Sequence, residues 1–377
     1  MQSKISHKFM ATIKRSNAKV NKVKVGIIGC GGIANNKHLP AIKALGYVDM
    51  VAFCDIDDER AAKAAAEFGA EGAKVYADYK DLLSDKHITA VHVLTPNKSH
   101  CEISVAAMKA DKHVMCEKPM AKTVEDAREM VAVAKETGKI LTIGYQNRYR
   151  PDSQYLKKSC MRGDLGDIYM AKAHAIRRRA VPTWGVFLNE EEQGGGPLID
   201  IGTHALDLTL WTMNNYKVKS VKGNVYKKLS DQTDTGNAWG DWNIDEFTVE
   251  DSAFGFITME DGATIFLEAS WALNTLDIGE AQTTLCGTKA GADMKDGLRI
   301  NTTDFGKLIT TKPSLDASGV DFYDGDTDTP SIAEARVFYD AILKGTKLTV
   351  KPEEALVVTE ILEAIYESAR TGKTIEF

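Results

Sequence analysis

The residues Gly194–Leu208 (GGGPLIDIGTHALDL) hold the groups whose types and spacing most readily do chemistry. Asp200 and His204 lie four apart, so a helix would put a carboxylate and an imidazole on one face. A histidine is the usual group for moving a proton near neutral pH, and Asp200 could orient it or meet a substrate itself. The same pair also suits a helix cap and a satisfied core histidine. A second group is Glu117-Lys118-Pro119, which ends an apolar run. Lysine prefers solvent, so packing explains Lys118 poorly. It could stabilise a developing alkoxide, or it could simply reach the surface. Thr95-Pro96-Asn97 closes another apolar run, with His100 just beyond.

Val25–Ala34 reads VGIIGCGGIA. An apolar strand running into Gly29, Gly31 and Gly32, with Ile33 and Ala34 opening a helix, is the setting of a dinucleotide-binding turn. The glycines let a pyrophosphate approach the backbone, and the helix N-terminus offers unpaired N–H groups. Asp55 stands 24 residues beyond Gly31, after the next strand. A carboxylate there accepts from ribose hydroxyls and repels a 2′-phosphate, which favours NAD over NADP. Asp55 could also merely end its strand and cap the helix that follows.

These groups need elements to hold them. From Val23 to about Tyr145, short apolar runs alternate with helical stretches. The strand candidates are Val23–Gly29, Met50–Cys54, Lys74–Tyr76, Ala90–Thr95, His113–Cys116 and Ile140–Gly144. Such alternation predicts a doubly wound α/β domain over 23–146 with a parallel sheet. The remainder, 147–349, carries helices near Pro151–Met161 and Ile201–Met213. Its strand-like runs are Asp167–Ile176, Val218–Tyr226, Phe247–Met259, Ala263–Trp271 and Gly279–Cys286. Consecutive strands predict a mainly antiparallel sheet in an α+β domain. Helices over Ile332–Leu343 and Pro352–Arg370 end the chain.

The chain has 377 residues, 44% hydrophobic and 27% charged, with a net charge of −6. That composition fits two globular domains, and the absence of a basic stripe argues against nucleic acid. No run of ~18 apolar residues marks a membrane span. Residues 1–22 are polar and basic and read as a disordered tail. The six cysteines form no CxxC pair and read as reduced thiols of a cytoplasmic protein. The acidic run Asp321–Asp328 lacks the spacing of a calcium loop and reads as a solvated loop, so no metal is expected.

Taken in order, GCGGIA at Gly29–Ala34, TPNxxH at Thr95–His100, EKP at Glu117–Pro119 and DxGxHxxD at Asp200–Asp207 resemble the Gfo/Idh/MocA oxidoreductase family. The resemblance runs from Val23 onward. It implies a Rossmann domain, to which 350–377 returns, and a C-terminal domain whose open-faced sheet builds a homodimer or homotetramer. It implies NAD contacts from Gly29, Gly31, Gly32, Ile33, Ala34, Asp55, Thr95, Pro96, Asn97, His100, Glu117 and Lys118, and a cis Lys118–Pro119 bond. It implies Lys118, Asp200 and His204 as catalytic residues, with His204 the general acid/base and Lys118 on the reacting hydroxyl of a sugar or polyol-like substrate. Tyr145, Arg148 and Tyr149 at the domain junction, and Arg177, Arg178, Arg179 and Trp184 before the glycine run, are candidate substrate residues. The same motifs would also serve a redox-neutral enzyme that holds and recycles its NAD, or a catalytically silent NAD-binding sensor.

Overall fold

The protein is described here by a computed structural model covering residues 22–234, 236–315 and 328–377. Apart from Lys22 and Asp328, the basic tail and the acidic run lie outside the described residues.

The first sheet contains β1 (Val23–Ile28), β2 (Val48–Cys54), β3 (Lys74–Tyr76), β4 (Ala90–Val93), β5 (His113–Cys116) and β6 (Leu141–Ile143). All neighbours are parallel and the order is β3-β2-β1-β4-β5-β6. β4 and β6 are buried along their whole length, which is why they read as unbroken apolar runs. The order reverses between β1 and β4, so a crevice opens at the C-terminal ends of those two strands. Local signals set the covering helices. Asp57 caps Asp58–Phe68 by accepting from the N–H groups of Glu59 and Arg60. Thr123 caps Val124–Thr137, and Gly138 ends it in the left-handed region at φ 66°.

The second sheet holds β7 (Ile168–Ile176), β8 (Val218–Tyr226), β9 (Ser252–Met259), β10 (Thr264–Ser270), β11 (Gly279–Gly287), β12 (Gly291–Asp293), β13 (Arg299–Asp304), β14 (Lys307–Thr311) and β15 (Ile375–Glu376). Its order is β14-β13-β12-β11-β7-β10-β9-β8-β15. It is mixed: β7 and β10 run parallel at its centre, and the other neighbours are antiparallel. Two expectations need correction. The expected strand Phe247–Met259 begins only at Ser252, because Thr248 N–H bonds Leu188 O and Asp251 N–H bonds Tyr226 O. β12–β14 are additional; β13 and β14 are largely exposed and polar, so they carry little alternation to read.

The helix Pro352–Thr371 lies on one face of this sheet. A Cβ on Gly255 would stand 2.6 Å from Ile365, and one on Gly223 would stand 2.8 Å from it, so both positions exclude a side chain to let the helix approach. The helix Pro330–Lys344 instead serves the first sheet, where Phe338 and Tyr339 join the core built on Val25, Ile27, Met50 and Phe53. No described helix is long and apolar enough to cross a membrane. Phe338 is 1% exposed. Replacing it with Ala should remove about 3–5 kcal/mol of stability, read as a fall in denaturation midpoint. A shift within 0.5 kcal/mol would mean that this helix is dispensable to the first core.

Candidate active site

The crevice begins where β1 ends. Gly29 has φ 92°, and a Cβ there would lie 2.6 Å from Leu94 O, so only glycine fits. Gly31 has nothing within 4 Å of an added Cβ, and Gly32 has only the Asn36 side chain at 3.9 Å. These two therefore border open space, a cleft of about 490 Å³ whose lining includes Cys30, Asn35 and Arg60. Asp55 Oδ2 accepts from Cys30 N–H at 2.7 Å, and Oδ1 accepts from Asp57 N–H at 3.0 Å. The carboxylate thus ties the glycine turn to β2, at the position where a ribose would meet it. A glycine cradle open to solvent with a carboxylate at its far side fits a dinucleotide. The buried thiols here are inert: burial first, then the Asp55 charge, pushes Cys30 up to about 12.

Ala34–His38 forms a π-helical turn and runs into the helix Leu39–Leu45. It buries two residues that the sequence reading did not weigh. Lys37 Nζ lies 2.6 Å from Glu117, 3.0 Å from Glu334 and 2.9 Å from Gln146 Oε1. His38 Nε2 lies 2.8 Å from the same Glu117 oxygen. Burial opposes the charge on Glu117, but Lys37 and His38 outweigh it and hold the carboxyl well below the usual range. Glu117, expected at the cofactor, is thus a buried partner of Lys37 and His38, and its other oxygen accepts from Lys118 N–H at 3.0 Å.

The Lys118–Pro119 peptide is cis. Lys118 Nζ donates to Asp200 O at 2.8 Å and to Asp200 Oδ1 at 3.0 Å. Asp200 Oδ2 accepts from Trp271 Nε1 at 3.0 Å, with Arg177 3.8 Å away. Burial would raise the Asp200 pKa; Lys118 and Arg177 outweigh that and lower it. Two of the three ammonium hydrogens are therefore engaged, and the third can meet a substrate oxygen.

Asp200 lies in a second π-helical turn, Leu198–Gly202, which continues as the helix Thr203–Met213. Widened turns of this kind recur at functional sites. The glycines before it are packing necessities: a Cβ on Gly195 would lie 2.0 Å from Tyr366 Oη, and one on Gly196 would lie 2.2 Å from Glu250 O. Glu250 accepts from Gly196 N–H at 2.8 Å and from Leu198 N–H at 3.1 Å, anchoring the start of the turn.

His204 projects from the helix into a cleft of about 210 Å³, shared with Gln146, Asn147, Arg150 and Glu280. Its Nδ1 is buried without a hydrogen-bond partner among the described residues. Asp200 makes no hydrogen bond to it; its carboxylate oxygens go to Lys118 and Trp271. Burial, reinforced by the Lys118 ammonium, pushes the imidazole down to about 3, so it is neutral at neutral pH.

Several expected contacts are corrected. His100 is fully enclosed, its ring nitrogens 2.8 Å from Pro119 O and 2.9 Å from Thr95 O, so it joins two loops and has no surface for a ligand. Arg148 is also fully buried. It pairs with Asp207 at 2.6 Å and Glu354 at 2.5 Å and donates to Thr349 O, so its guanidinium is spent on internal partners. Tyr145 is buried, bonds Thr203 Oγ1 at 2.9 Å, and sets its ring at 82° to His204, so it backs the histidine. Tyr149 is half-buried against the main core, and that burial, its largest influence, raises its pKa. Arg178 is exposed, and its neighbour Arg177 is the one that reaches Asp200. Asn97 donates to Gln193 O at 3.0 Å, linking the β4 loop to the segment before the glycines. Ile33 and Pro96 are exposed, Ala34 is buried, Thr95 is half-buried and takes a bond from Ser99 Oγ at 2.9 Å, and Trp184 is exposed.

A family model described as an oxidoreductase family with an NAD-binding Rossmann fold matches residues 23–145, and one described as the GFO/IDH/MocA C-terminal domain matches 153–293. D-glucoside 3-dehydrogenase of Escherichia coli K12 is 35% identical over 354 residues, covering 94% of this chain and 97% of that one. Inositol 2-dehydrogenase of Salmonella typhimurium LT2 is 31% identical over 53% of this chain and 57% of its own. Among solved structures, GenD2 from gentamicin A biosynthesis, in complex with NAD, matches with a TM-score of 0.74 at 26% identity, covering 95% of this chain and 97% of that one.

The Asp55 geometry yields a test. Asp55→Ala should weaken NAD binding about 10- to 100-fold, the loss expected for a charged hydrogen bond. It should also narrow the preference for NAD over NADP, both read by titration of protein fluorescence. A wild type that prefers NADP would overturn the assignment of Asp55.

Proposed function

The chain belongs to the Gfo/Idh/MocA family of NAD-binding oxidoreductases, and from that premise we propose that it oxidises, or in reverse forms, a secondary hydroxyl on a sugar, sugar derivative or cyclitol ring. One observation carries the reading. Lys118, held by Asp200 with one N–H free at the end of β5, lies near enough to His204 for its ammonium to oppose charge on that unpaired, neutral imidazole. Bound NAD would supply the hydride acceptor, held by Gly29–Ala34 and Asp55. The residues of the chain do the rest. Lys118 donates to the hydroxyl oxygen and stabilises the negative charge that develops there. His204 takes the hydroxyl proton, and returns it in the reverse direction. Asp200 and Trp271 keep the ammonium in place, which leaves little reorganisation for the reactive step.

The same reading includes a homo-oligomer. The face of the second sheet opposite Pro352–Thr371 exposes Phe256 and Phe266, 43% and 40% accessible, whose rings meet at 5.1 Å. An aromatic pair on a broad sheet face suits self-association. Phe256→Glu with Phe266→Glu should lower the mass measured by light scattering to that of a smaller species. An unchanged mass would place the interface elsewhere.

His204→Ala tests the chemistry. Turnover should fall roughly 10²- to 10⁴-fold. NADH affinity should hold, because the nucleotide is carried by Gly29–Ala34 and Asp55. The thermal midpoint should move little, because Nδ1 forms no bond that could be lost. Normal turnover in a destabilised protein would instead make His204 a core residue and sink the mechanism.

A further inference from the structure

Between β8 and β9 the described residues from Lys227 to Asp251, all but Thr235, form no regular helix or strand. Irregular segments of this length in compact domains are usually functional. This one is pinned at its centre. Asn237 Oδ1 accepts from Val181 N–H at 2.8 Å, and its Nδ2 donates to Val181 O at 3.0 Å. Ala238 N–H bonds Arg179 O at 2.8 Å, and Thr183 Oγ1 donates to Trp239 O at 2.8 Å. Further along, Trp242 Nε1 bonds Ser230 O at 3.0 Å, and Trp242 packs on Phe247, which in turn meets Trp271.

This bonding presents Trp239 to solvent. Trp239 is 44% accessible and Trp184 is 51%. Their indoles meet at 4.9 Å with planes at 78°, so they form an L-shaped corner. A pair of tryptophans that far exposed forfeits apolar burial that a purely structural pair would keep. The corner also adjoins the reactive groups. The Arg177 guanidinium lies 5.3 Å from the Trp239 ring centre and 3.8 Å from Asp200, and Glu280 grips it at 2.6 Å. Glu280 itself lines the cleft that holds His204.

We propose that the Trp184–Trp239 corner is a subsite for a second ring of the substrate: an aglycone, or a neighbouring sugar, that offers a flat apolar face and is glycosidically joined to the ring being oxidised. One indole takes the face of that ring and the other closes its edge, as aromatic walls do for carbon-rich surfaces. Arg177 fixes the distance between the corner and Lys118–Asp200, so the two rings are read as one unit. The substrate class is therefore a glycoside. This rests on the ring-hydroxyl oxidation proposed above.

The test compares methyl, p-nitrophenyl and glucosyl (disaccharide) β-glucosides with NAD, chosen because the full-length relative is named for D-glucosides. The readout is the ratio of kcat/KM for each two-ring substrate to that for the methyl glucoside. Trp239→Leu and Trp184→Leu keep an apolar side chain but lose the flat ring, and should lower that ratio about tenfold through KM. Trp239→Phe keeps a ring and should retain most of the ratio. A drop for the p-nitrophenyl compound alone identifies an aromatic aglycone; a drop for both identifies any ring with a flat face. Ratios unchanged in the Leu variants overturn the subsite while leaving the ring oxidation standing. A wild type that oxidises none of the three overturns the subsite together with the glycoside reading, and a polyol and inositol series then decides whether the ring oxidation itself survives.

Discussion

The ion pair between Lys118 and Asp200 is the contact on which the rest of the arrangement depends. Lys118 stands at the end of a strand in the first sheet, and Asp200 sits in the turn that opens a helix on the second. Their 3.0 Å contact crosses between the two sheets, which also share one continuous apolar cluster running from Val93 and Cys116 to Ala173 and Leu267. A pair this sheltered gains little net stability, because desolvating two charges offsets their attraction. Its worth lies in register. The ammonium can reach the Asp200 backbone carbonyl and carboxylate together only if the two domains dock in one orientation. Hence the close fits nearby, where Gly195 admits Tyr366 and Gly196 admits the Glu250 backbone.

Beneath Lys118 lies a second polar layer with a different task. Lys37, Glu117, Glu334, His38, His92 and Tyr339 are all buried. His38 and His92 meet at 3.2 Å through their Nδ1 atoms, and His92 Nε2 reaches Tyr339 Oη at 2.9 Å. Burial is the largest influence on both histidines and lowers them, so neither carries charge at neutral pH. Two neutral imidazoles can alternate donor and acceptor along this row, as two cations could not. The formal charge is confined to Lys37 and its carboxylate partners. The network's hydrogen bonds hold these groups in fixed relation, although Glu334 Oε1 is left without a partner among the described residues. They support Glu117, whose second oxygen fixes the Lys118 backbone.

Much of this was legible in the sequence, and the misses have physical causes. The first sheet showed itself because its central strands are buried on both faces and read as apolar runs. Gly29 and the Glu117–Pro119 turn showed themselves because their residue types make little sense as packing. Arg148 misled for the same reason: an arginine after a strand at the junction looks like a substrate anchor, and its partners Asp207, Glu354 and Thr349 are 59 to 206 positions away. Lys37 was overlooked because a lysine in the first turns of a helix is ordinary on a surface; only tertiary burial makes it unusual. Trp239 lies in an irregular segment with no periodicity to read, and Trp271 lies at a strand end where a core aromatic is expected. The polar strands β13 and β14 escaped because neither face is buried.

The treatment of His204 shows how one pair of groups can hold two protonation states apart. The common device for a catalytic imidazole is a carboxylate on one ring nitrogen, which fixes the tautomer and stabilises the cation. Asp200 is close enough to be that carboxylate, yet its oxygens go to Lys118 and Trp271. The consequence is electrostatic. Asp200 favours an imidazolium less than burial and the Lys118 ammonium oppose one. In the mechanism proposed above, His204 therefore starts as an unprotonated base. The proposed oxidation would change that balance: as the hydroxyl loses its proton, negative charge grows on the oxygen beside Lys118 and His204, and that charge offsets the ammonium field that disfavoured the imidazolium. The strength of the base then rises with the charge it helps create. Joining Asp200 to His204 instead would stabilise the protonated ring before substrate arrived, and would leave Lys118 held by the Asp200 backbone carbonyl alone.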